Sequence, residues 1–408
     1  MVMEVYMLEI EQARDVVLEN VVKIDSEVVD ITSSLNRILA CDIYSDIDLP
    51  TFSNSAMDGY AIISSDLKGA SIDQPICLEV IGEIPAGHTY SGILMNGKAI
   101  KIMTGAPIPE GADAVVPIEY TKAEGALVKV FRSVKEKQNI RYKGEDLASG
   151  KLVIAKGKKL SPADIGMLAA QNLRTVSVSK LPSVSILSTG DEVIDVGEEL
   201  SPGKIRDINS YCLYANALKY GGIPISLGIA NDNKAAIIKS IENGLNSDIL
   251  VISGGVSVGD YDFVKEVLIE KGVSIKFWKV AIKPGKPILF GVKGNTLVFG
   301  LPGNPISALV TFREFVLPAM CKMQGRVDNP IKEQYAVLER DISINTGRRH
   351  YIMGNICYRG GAYFTKPVGI QSSGALNSLL QSNCLIVIPG DTPQIKSGEQ
   401  VLVQLLDE

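Results

Sequence analysis

Histidine and paired cysteine are scarce in this sequence, and their scarcity narrows the chemistry. The 408 residues include two histidines, His88 and His350, so neither a histidine-rich metal site nor a Ser-His-Asp triad is expected. The six cysteines lie far apart and form no Cys-x-x-Cys pair, so we expect neither a zinc knuckle nor a disulfide framework. Any metal site should therefore depend on carboxylates.

Long basic runs and long apolar runs are also missing. The formal net charge of −5 argues against a nucleic-acid-binding surface, because clustered lysine and arginine supply most of that affinity. No apolar stretch approaches the ~20 residues that span a bilayer, and residues 1–6 carry an acid where a secretory leader needs a base. We therefore expect a cytoplasmic protein with no nucleic-acid partner and no membrane partner.

What the chain does have is length and apolar content. It exceeds the ~250 to 300 residues that one hydrophobic core serves, and its 46% hydrophobic and 21% charged residues are typical of globular domains. The pattern therefore predicts a multidomain α/β plus β protein. Its predicted parts are a discontinuous helical and linking domain (1–48 and 147–180), a β-rich domain (49–146), a doubly wound α/β domain (181–328) and a small C-terminal β-barrel or sandwich (329–408).

The third region shows the clearest periodicity, with short apolar runs alternating with helical stretches. Strands are predicted at 183–187, 223–229, 248–253 and 273–280, and helices at 210–220, 234–245, 261–271 and 306–320. Helices are also predicted near the N-terminus and over 151–172, with a start signal at Ser161 and Pro162, whereas helical pattern disappears after Pro330. Ligands of a doubly wound sheet sit beyond the carboxyl ends of its strands, so the loops after strands are the candidate sites.

A glycine-rich loop, Ser253-Gly254-Gly255-Val256-Ser257-Val258-Gly259-Asp260, follows one of these strands and precedes a helix. Its glycines would let backbone N–H groups approach an anion, and the helix N-terminus would add a partial positive charge. An ordinary turn capped by Asp260 or Asp262 has the same pattern, so the loop alone does not choose between them. A Walker loop is excluded, because no Lys-Ser or Lys-Thr follows the glycines.

Acidic residues follow other predicted strands. Glu192, Asp232 and Asp262 could face one crevice, because neighbouring strand ends converge. Clustered carboxylates repel one another, by roughly 4 kcal/mol per pair at 4 Å and an effective dielectric of 20, unless a cation lies between them. A magnesium ion held partly by substrate phosphate fits such ligands, but Asp232 also precedes a helix and could be only its N-cap.

Lysines surround a turn after the fourth strand. Lys279 lies on that strand, and Lys283-Pro284-Gly285-Lys286-Pro287 places two more lysines in a turn braced by prolines. The cluster is either an oxyanion site or a solvated surface. A further strand-to-helix turn, Gly300-Leu301-Pro302-Gly303-Asn304-Pro305, has Asn304 as a possible cap or ligand donor.

Seven motifs occur in an order that is specific although each is weak alone. They are Ser55-Ala56-Met57-Asp58-Gly59-Tyr60-Ala61, Met103-Thr104-Gly105-Ala106-Pro107, Gly144-Glu145-Asp146, Ser188-Thr189-Gly190-Asp191-Glu192, the glycine loop from Ser253 to Gly259, Lys283-Pro284-Gly285-Lys286-Pro287 and Leu301-Pro302-Gly303-Asn304-Pro305. Together, and over nearly the whole chain, they resemble the molybdopterin molybdenumtransferase family, which comprises MoeA and the gephyrin E domain.

The resemblance implies four domains, with a third domain of molybdopterin-binding type and a C-terminal β-barrel. It also implies a homodimer in which the second domain of one subunit closes over the third domain of the other. The implied reaction inserts molybdate, or alternatively tungstate, into adenylylated molybdopterin with release of AMP. Magnesium is the implied cofactor, and lysines with a metal would screen the negative charges that meet in this reaction.

The resemblance also implies roles for individual residues. Those implied in catalysis are Asp58, Thr104, Glu192, Asp232, Asp262, Lys279 and Lys283, and those implied in metal binding are Glu192, Asp232 and Asp262. Those implied in substrate binding are Arg141, Ser253, Gly254, Gly255, Ser257, Gly259, Lys286, Pro302, Gly303, Asn304, Pro305, Arg348 and Ser373. Arg348 and Ser373 correspond to the family's molybdate contacts; the family often has an acid after the arginines, where this chain has His350 and Tyr351.

Two other functions remain open at this point. The third-domain fold is shared with molybdopterin adenylyltransferases and with a nucleotide-cleaving family related to competence-damage proteins, which would leave the motifs around Asp58 and Thr104 without a role. A non-catalytic scaffold of the gephyrin type is the other alternative, but no long linker or additional domain supports it.

Overall fold

The computed structural model describes residues 7–255 and 263–406, which form two compact units. One unit comprises Met1–Cys41, Lys156–Ile165 and Arg174–Glu408, and the other comprises Asp42–Ala155 and Gly166–Leu173. The four predicted domains and their boundaries stay a prediction. Among the described residues, no helix combines the length and the apolar character that crossing a bilayer requires.

A six-stranded sheet forms the centre of the larger unit. Its strands, in spatial order, are Ile223–Ala230, Ser183–Thr189, Ile249–Ser253, Thr296–Leu301, Pro287–Lys293 and Ser274–Lys279. The first four are parallel, the fifth is antiparallel to them, and the sixth runs with the first four. Every residue of Ile249–Ser253 is buried, as expected for a strand covered on both faces. The predicted largely parallel α/β sheet is confirmed.

Two strands of this sheet were not among the four predicted ranges, although a strand-to-helix turn was predicted at Gly300 to Pro305. Pro287–Lys293 and Thr296–Leu301 form a hairpin that turns at Gly294, whose φ is +58°. Both are nearly continuous buried runs, so they lack the alternation that marks a half-exposed strand. The two strands are also antiparallel and directly connected, whereas the predicted strands alternate with helices.

Helices from several parts of the chain pack against the sheet, and some of them begin at side-chain caps. In the described residues the helices are Ile10–Glu19, Pro162–Ala170, Asn209–Lys219, Lys234–Gly244, Phe263–Glu270, Pro305–Thr311, Leu317–Met323 and Leu376–Leu380, with a π-helical turn at Phe312–Val316. Pro162 begins its helix as predicted, and Ser161 and Asp164 exchange hydrogen bonds there. The predicted helix over 151–172 was too long, because Leu152–Ile154 is a strand paired with Ile43–Tyr44.

The C-terminal strands close into a five-stranded barrel. In order around it they are Arg349–Arg359, Ala362–Pro367, Glu333–Leu338, Gln400–Leu405 and Cys384–Ile388. The barrel closes because Arg349–Arg359 pairs with both Ala362–Pro367 and Cys384–Ile388. This confirms the barrel alternative. The expectation of no helix beyond Pro330 was wrong, since Leu376–Leu380 forms a short one.

The smaller unit contains a second six-stranded sheet. Its strands, in order, are Ala114–Pro117, Gly59–Ile62, Lys98–Ile102, Ile76–Ile84, Leu127–Val130 and Thr121–Glu124. Separate apolar clusters lie against it, one including Ile62 and Val116 and the other including Ala61 and Val115. Residues 61 and 62 therefore point to opposite faces, as the strand period of two requires.

Short paired strands complete the two units. Those of the larger unit are Ser26–Asp30 with Thr175–Ser179, Val193–Ile194 with Ile205–Arg206, Ile342–Ser343 with Gln394–Ile395, and Ile282–Lys283 with the barrel strand Arg349–Arg359. The smaller unit has Asn54–Ser55 paired with Ile140–Arg141, beside the pair that includes Leu152–Ile154. The pairing of Ile282–Lys283 joins the lysine turn to the barrel.

Candidate functional site

The candidate site lies along the carboxyl edge of the larger unit's sheet. Because four strands are parallel and Ser274–Lys279 runs with them, their C-terminal residues meet at one edge. In spatial order, this edge carries the loops after Ala230 and Thr189, then those after Ser253 and Leu301, and finally the lysine turn before Pro287. At about 4.8 Å per strand, the loop after Thr189 lies roughly 14 Å from the lysine turn.

The described part of the glycine loop, Ser253 to Gly255, is tightly packed at the centre of this edge. Gly254 and Gly255 have φ values of +92° and +62°. A Cβ on Gly254 would lie 2.7 Å from the Thr189 carbonyl oxygen, and one on Gly255 would lie 2.6 Å from Cγ2 of Val264. Glycine is required at both positions because side chains rarely adopt this backbone and no space is left for one. Ser257 and Gly259 lie outside the described residues.

A buried amide connects the glycine loop to the next loop of the edge. Nδ2 of Asn209 donates to Oγ of Ser253 over 2.7 Å and to the Gly303 carbonyl over 2.8 Å. Its Oδ1 is buried and accepts no hydrogen bond from the described residues. Sequence reasoning missed Asn209, because an asparagine at the start of a helix is ordinarily interpreted as a cap.

The loop that follows Leu301 approaches the glycine loop closely. A Cβ on Gly303 would lie 3.8 Å from Cα of Gly254, and the Gly254 N–H donates to the Leu301 carbonyl over 3.1 Å. Pro302 is buried, whereas Gly303 and Asn304 are exposed. Asn304 occupies the N-cap position before Pro305 without a side-chain capping bond, so its amide remains available to a ligand.

Asp191 and Asp232, from two neighbouring strand ends, contact each other at what we term the acidic corner, which also includes Glu192, the residue after Asp191. The backbone N–H of Asp232 donates to Oδ1 of Asp191 over 2.9 Å, and the N–H of Asp191 donates to Oδ2 of Asp232 over 3.3 Å. All three residues are exposed, and the Glu192 carboxylate lies over Cα of Gly190. The carboxylates of Asp191 and Asp232 are thereby held together by the main chain.

The acidic corner corrects the expected cap role of Asp232 and adds Asp191 to the predicted acidic residues. Asp232 is not the cap of the following helix, because Oδ1 of Asn233 accepts from the Ala236 N–H over 2.9 Å. Asp191 was not predicted as a site residue, although it follows the same strand as Glu192 and could have been found by that position. Asp262 lies outside the described residues, so the predicted set of three ligands stays a prediction.

The described residues provide an incomplete metal site by themselves. They contain no group of three or more His, Cys, Asp or Glu side chains placed to hold a metal ion. Magnesium commonly binds one or two protein carboxylates and completes its octahedron with water and substrate phosphate. The acidic corner fits that kind of site, in which the substrate supplies the remaining oxygens.

Basic residues line a cavity at the opposite end of the sheet edge. This cationic cavity, of about 720 Å³, is bounded by the lysine turn, the start of the helix Pro305–Thr311 and the barrel, and its basic lining residues are Lys283, Lys286, Arg348 and His350. Ser373 also lines it, and its carbonyl accepts from the Ile306 N–H over 2.9 Å. The structure therefore brings Arg348 and Ser373 together with two of the predicted lysines.

The three permanent cations of this cavity have no counterion among the residues that the structure describes. Among residues 7–255 and 263–406, no carboxylate lies within salt-bridge distance of Lys283, Lys286 or Arg348. Lys279 does not line the cavity, although it pairs with Pro287 at the same sheet edge. Unpaired cations around a concave surface favour an anionic ligand over a solvated lysine cluster.

The smaller unit brings together two motifs that the sequence keeps apart, with the strand of Arg141 paired beside them. Oδ1 of Asp58 accepts hydrogen bonds from the Thr104 backbone N–H and from Oγ1 of Thr104, both over 2.7 Å. These bonds, first that of the backbone, lower the pKa of Asp58 below its ordinary value. Arg141 is exposed and pairs with Asn54, four residues before Asp58. Gly59 is required there because any Cβ would overlap the Val116 carbonyl oxygen.

Comparison with known proteins accounts for nearly the whole chain. Residues 8–171 match the MoeA N-terminal region (domain I and II), 185–322 match a probable molybdopterin binding domain, and 335–406 match the MoeA C-terminal region (domain IV). A molybdopterin molybdenumtransferase from Nostoc sp. is 39% identical over 93% of this chain and 88% of its own. One from Haemophilus influenzae is 37% identical over 98% of each chain. The chain belongs to the MoeA family.

The solved structures agree with this assignment. The crystal structure of a molybdopterin biosynthesis MoeA protein from Pyrococcus horikoshii has a TM-score of 0.85 at 34% sequence identity, and covers 98% of this chain and 100% of the other. The resemblance and the fold class inferred from the sequence are thereby confirmed. The roles predicted for individual residues of this MoeA-family chain stay predictions.

Proposed function

We propose that this chain is a molybdenum insertase, which inserts molybdate into adenylylated molybdopterin and releases AMP. Membership of the molybdopterin molybdenumtransferase family assigns the chain a transferase role in molybdenum cofactor biosynthesis. The observation that carries the finer proposal is the cationic cavity, where three cations with no salt-bridge partner among the described residues line the same concave surface as Ser373.

Molybdate is a tetrahedral dianion, and the cationic cavity offers what such an ion requires. At an effective dielectric of 20, each unit charge attracts another at 4 Å by about 4 kcal/mol, so several cations can offset the dehydration of the anion. Arg348 presents a planar fork of donors, whereas Lys283 and Lys286 act as point charges. The Ser373 hydroxyl would add a neutral hydrogen bond.

The phosphate-bearing part of the substrate would occupy the centre of the edge. Gly254 uses its N–H internally, but the Gly255 N–H has no acceptor among the described residues and can donate to a phosphate oxygen. The amide of Asn304, in the adjoining loop, can donate to the same ligand. The substrate would thus lie between the acidic corner and the cationic cavity. Its phosphoanhydride would face the acidic corner, and the entering oxyanion would lie in the cationic cavity.

The acidic corner would hold magnesium through Asp232 and Glu192, with Asp191 beside them and Asp262 as the further predicted ligand. A bound magnesium ion would offset negative charge on the phosphoanhydride. The main-chain hydrogen bonds between Asp191 and Asp232 fix the carboxylates before substrate arrives, which reduces the cost of assembling the site.

The proposal includes a homodimer, in which Asp58, Thr104 and Arg141 complete the site of the partner subunit. The lowered pKa of Asp58 supports an ionised carboxylate, and its bonds with Thr104 hold that carboxylate in one orientation. Cross-subunit complementation tests this part: mixing Asp58→Asn protein with Glu192→Gln protein should restore activity, because each heterodimer contains one intact site.

The function is tested by giving purified protein adenylylated molybdopterin, molybdate and magnesium. We expect release of AMP that depends on molybdate, and a product that activates a molybdenum-free apoenzyme. Replacing molybdate with tungstate measures which oxyanion is preferred. Consumption of ATP without molybdate would instead support an adenylyltransferase and overturn the proposal.

A further inference from the structure

His350 lies in the cationic cavity and has no assigned role there. It is 5% exposed and lines the cavity beside Arg348, which is two residues earlier. It also pairs in register with Lys283 on the neighbouring parallel strand, so the two side chains stand on the same face of the sheet. A titratable imidazole is thus built between two permanent cations of the proposed oxyanion site.

The hydrogen bond of the imidazole determines where a second proton would go. Nε2 of His350 lies 3.1 Å from the carbonyl oxygen of Asn345. Because a carbonyl can only accept, Nε2 carries the hydrogen in the neutral ring, and Nδ1 is the basic atom. Nδ1 has no hydrogen-bond partner among the described residues, so a proton added there is free to bind a ligand.

The groups around His350 disfavour its charged form while the cavity lacks an anion. Burial and then Lys283 lower the pKa of His350 below its ordinary 6.5; the Asn345 bond acts in the opposite direction, and Arg348 adds a smaller lowering effect. Lys286 adds a further positive charge from the turn. On the neighbouring strand that packs against it, Ile388 is apolar.

Two acidic groups also line the cavity. Asp341, the one carboxylate among the described lining residues, accepts from the Ser397 N–H over 2.7 Å. Tyr351 stays neutral, because burial and then Glu314 raise its pKa well above 10. Three permanent cations and one carboxylate leave a formal charge of +2 with neutral His350 and +3 when it is protonated.

We propose that His350 is a proton-controlled binding group of the oxyanion site, which takes up a proton at Nδ1 from solvent when a dianion enters and then donates to it. The proposal rests on the proposed function and adds regulation by pH to the same site. A bound dianion offsets the repulsion from Lys283 and Arg348, so oxyanion and proton favour each other's binding.

The sign of the pH dependence follows from this linkage. The charged form is disfavoured in the empty cavity and favoured in the occupied one, so binding raises the pKa of His350. Affinity for a dianion should therefore be highest at pH values below the pKa that His350 has in the empty cavity. It should fall as the pH rises from that pKa to the higher pKa that His350 has in the occupied cavity. Above both values the remaining affinity comes from Lys283, Lys286 and Arg348.

The experiment measures binding of sulfate and of molybdate by calorimetry between about pH 6 and pH 8.5, in buffers of different ionisation enthalpy. Sulfate remains a dianion throughout this range, so its affinity reports protein protons only. For the unmodified protein we expect affinity to fall by up to about tenfold per pH unit, since one proton is linked, with uptake approaching one proton per anion at intermediate pH. His350→Gln should bind with the weaker, high-pH affinity at every pH and take up no proton.

Two controls keep the outcomes distinct. His88→Gln changes the other histidine, which is exposed in the smaller unit, and should leave the pH dependence intact. His350→Lys supplies a permanent charge and should bind tightly with no pH dependence. If Arg348→Ala abolishes binding but His350→Gln retains the full pH dependence, the role of His350 is wrong and the oxyanion site stands. If Arg348→Ala leaves binding unchanged, the oxyanion site itself is wrong.

Discussion

The acidic corner and the cationic cavity lie at opposite ends of one sheet edge and are built differently. The acidic corner consists of two strand-end loops of the α/β sheet, held together by main-chain hydrogen bonds between Asp191 and Asp232. The cationic cavity requires a second structural element, because Arg348 and Ser373 come from the barrel. The two regions are thereby separated along the sheet edge, with about 14 Å of strand spacing between the loop after Thr189 and the lysine turn, and a substrate between them can face a cation and an oxyanion at once.

The largest expected effect comes from removing charge at the cationic cavity. Losing a hydrogen bond to a charged group costs about 1.5–3 kcal/mol, so Lys283→Ala combined with Arg348→Ala should weaken molybdate binding by about 100-fold or more. Calorimetry measures the affinity, and Arg340→Ala, an exposed barrel arginine outside the cavity, is the matched control. Molybdate affinity within twofold of the unmodified protein would contradict the assignment of this cavity.

A smaller and separate effect is expected at the acidic corner. Asp232→Asn keeps an oxygen that can accept from the Asp191 N–H but loses the charge, so the fold should survive. We expect the magnesium concentration for half-maximal AMP release to rise about tenfold, in line with the loss of one charged ligand.

The control at the acidic corner is Glu198→Gln, an exposed acid in the segment that follows Asp191 and Glu192. It should leave the magnesium requirement unchanged, and molybdate affinity should change by less than twofold in both variants. If Asp232→Asn weakened molybdate binding as much as it raised the magnesium requirement, the two regions would not be separate sites.

The glycine loop between the two regions predicts an effect on stability. Gly254→Ala would force a side chain into a positive-φ position against the Thr189 carbonyl, and should lower the free energy of unfolding by about 1–3 kcal/mol. Gly303→Ala is the matched control, because its Cβ would make only an ordinary 3.8 Å contact with Gly254. Denaturant titration compares them, and equal stability of the two variants would show that the loop is not constrained as described.

A change in ionic strength should have the smallest effect, and it should weaken magnesium binding at the acidic corner and molybdate binding in the cationic cavity alike. The acidic corner and the two cavity lysines are exposed, so salt screens each of them. Raising monovalent salt from about 0.05 to about 0.5 M should weaken magnesium and molybdate binding several-fold each. If molybdate affinity were insensitive to salt, its binding would depend on neutral hydrogen bonds rather than on the three cations.

The sequence predicted most elements of the α/β sheet because their chemistry is local. Pro305 begins its helix as a first-turn residue, as predicted, and acids, glycines and lysines could be assigned to loops after strands from chain order alone. The cap of the helix Lys234–Gly244 was an exception, because Asn233 caps it and the sequence had offered Asp232. The hairpin Pro287–Leu301 escaped prediction, because two strands that are nearly continuous buried runs carry no alternating pattern. The ordered motifs were specific enough to identify the family.

By itself, then, the sequence determined the family, the fold class and the kinds of charge that follow each strand. Tertiary structure alone decided which of those charges meet. Asp191 lies beside Asp232 because their strands are neighbours in the sheet although 41 residues separate them, and Asn209 joins Ser253 to Gly303 across still longer separations. Arg348 and His350 reach the lysine turn only through the barrel. Strand order and barrel closure depend on long-range packing, which no local pattern encodes.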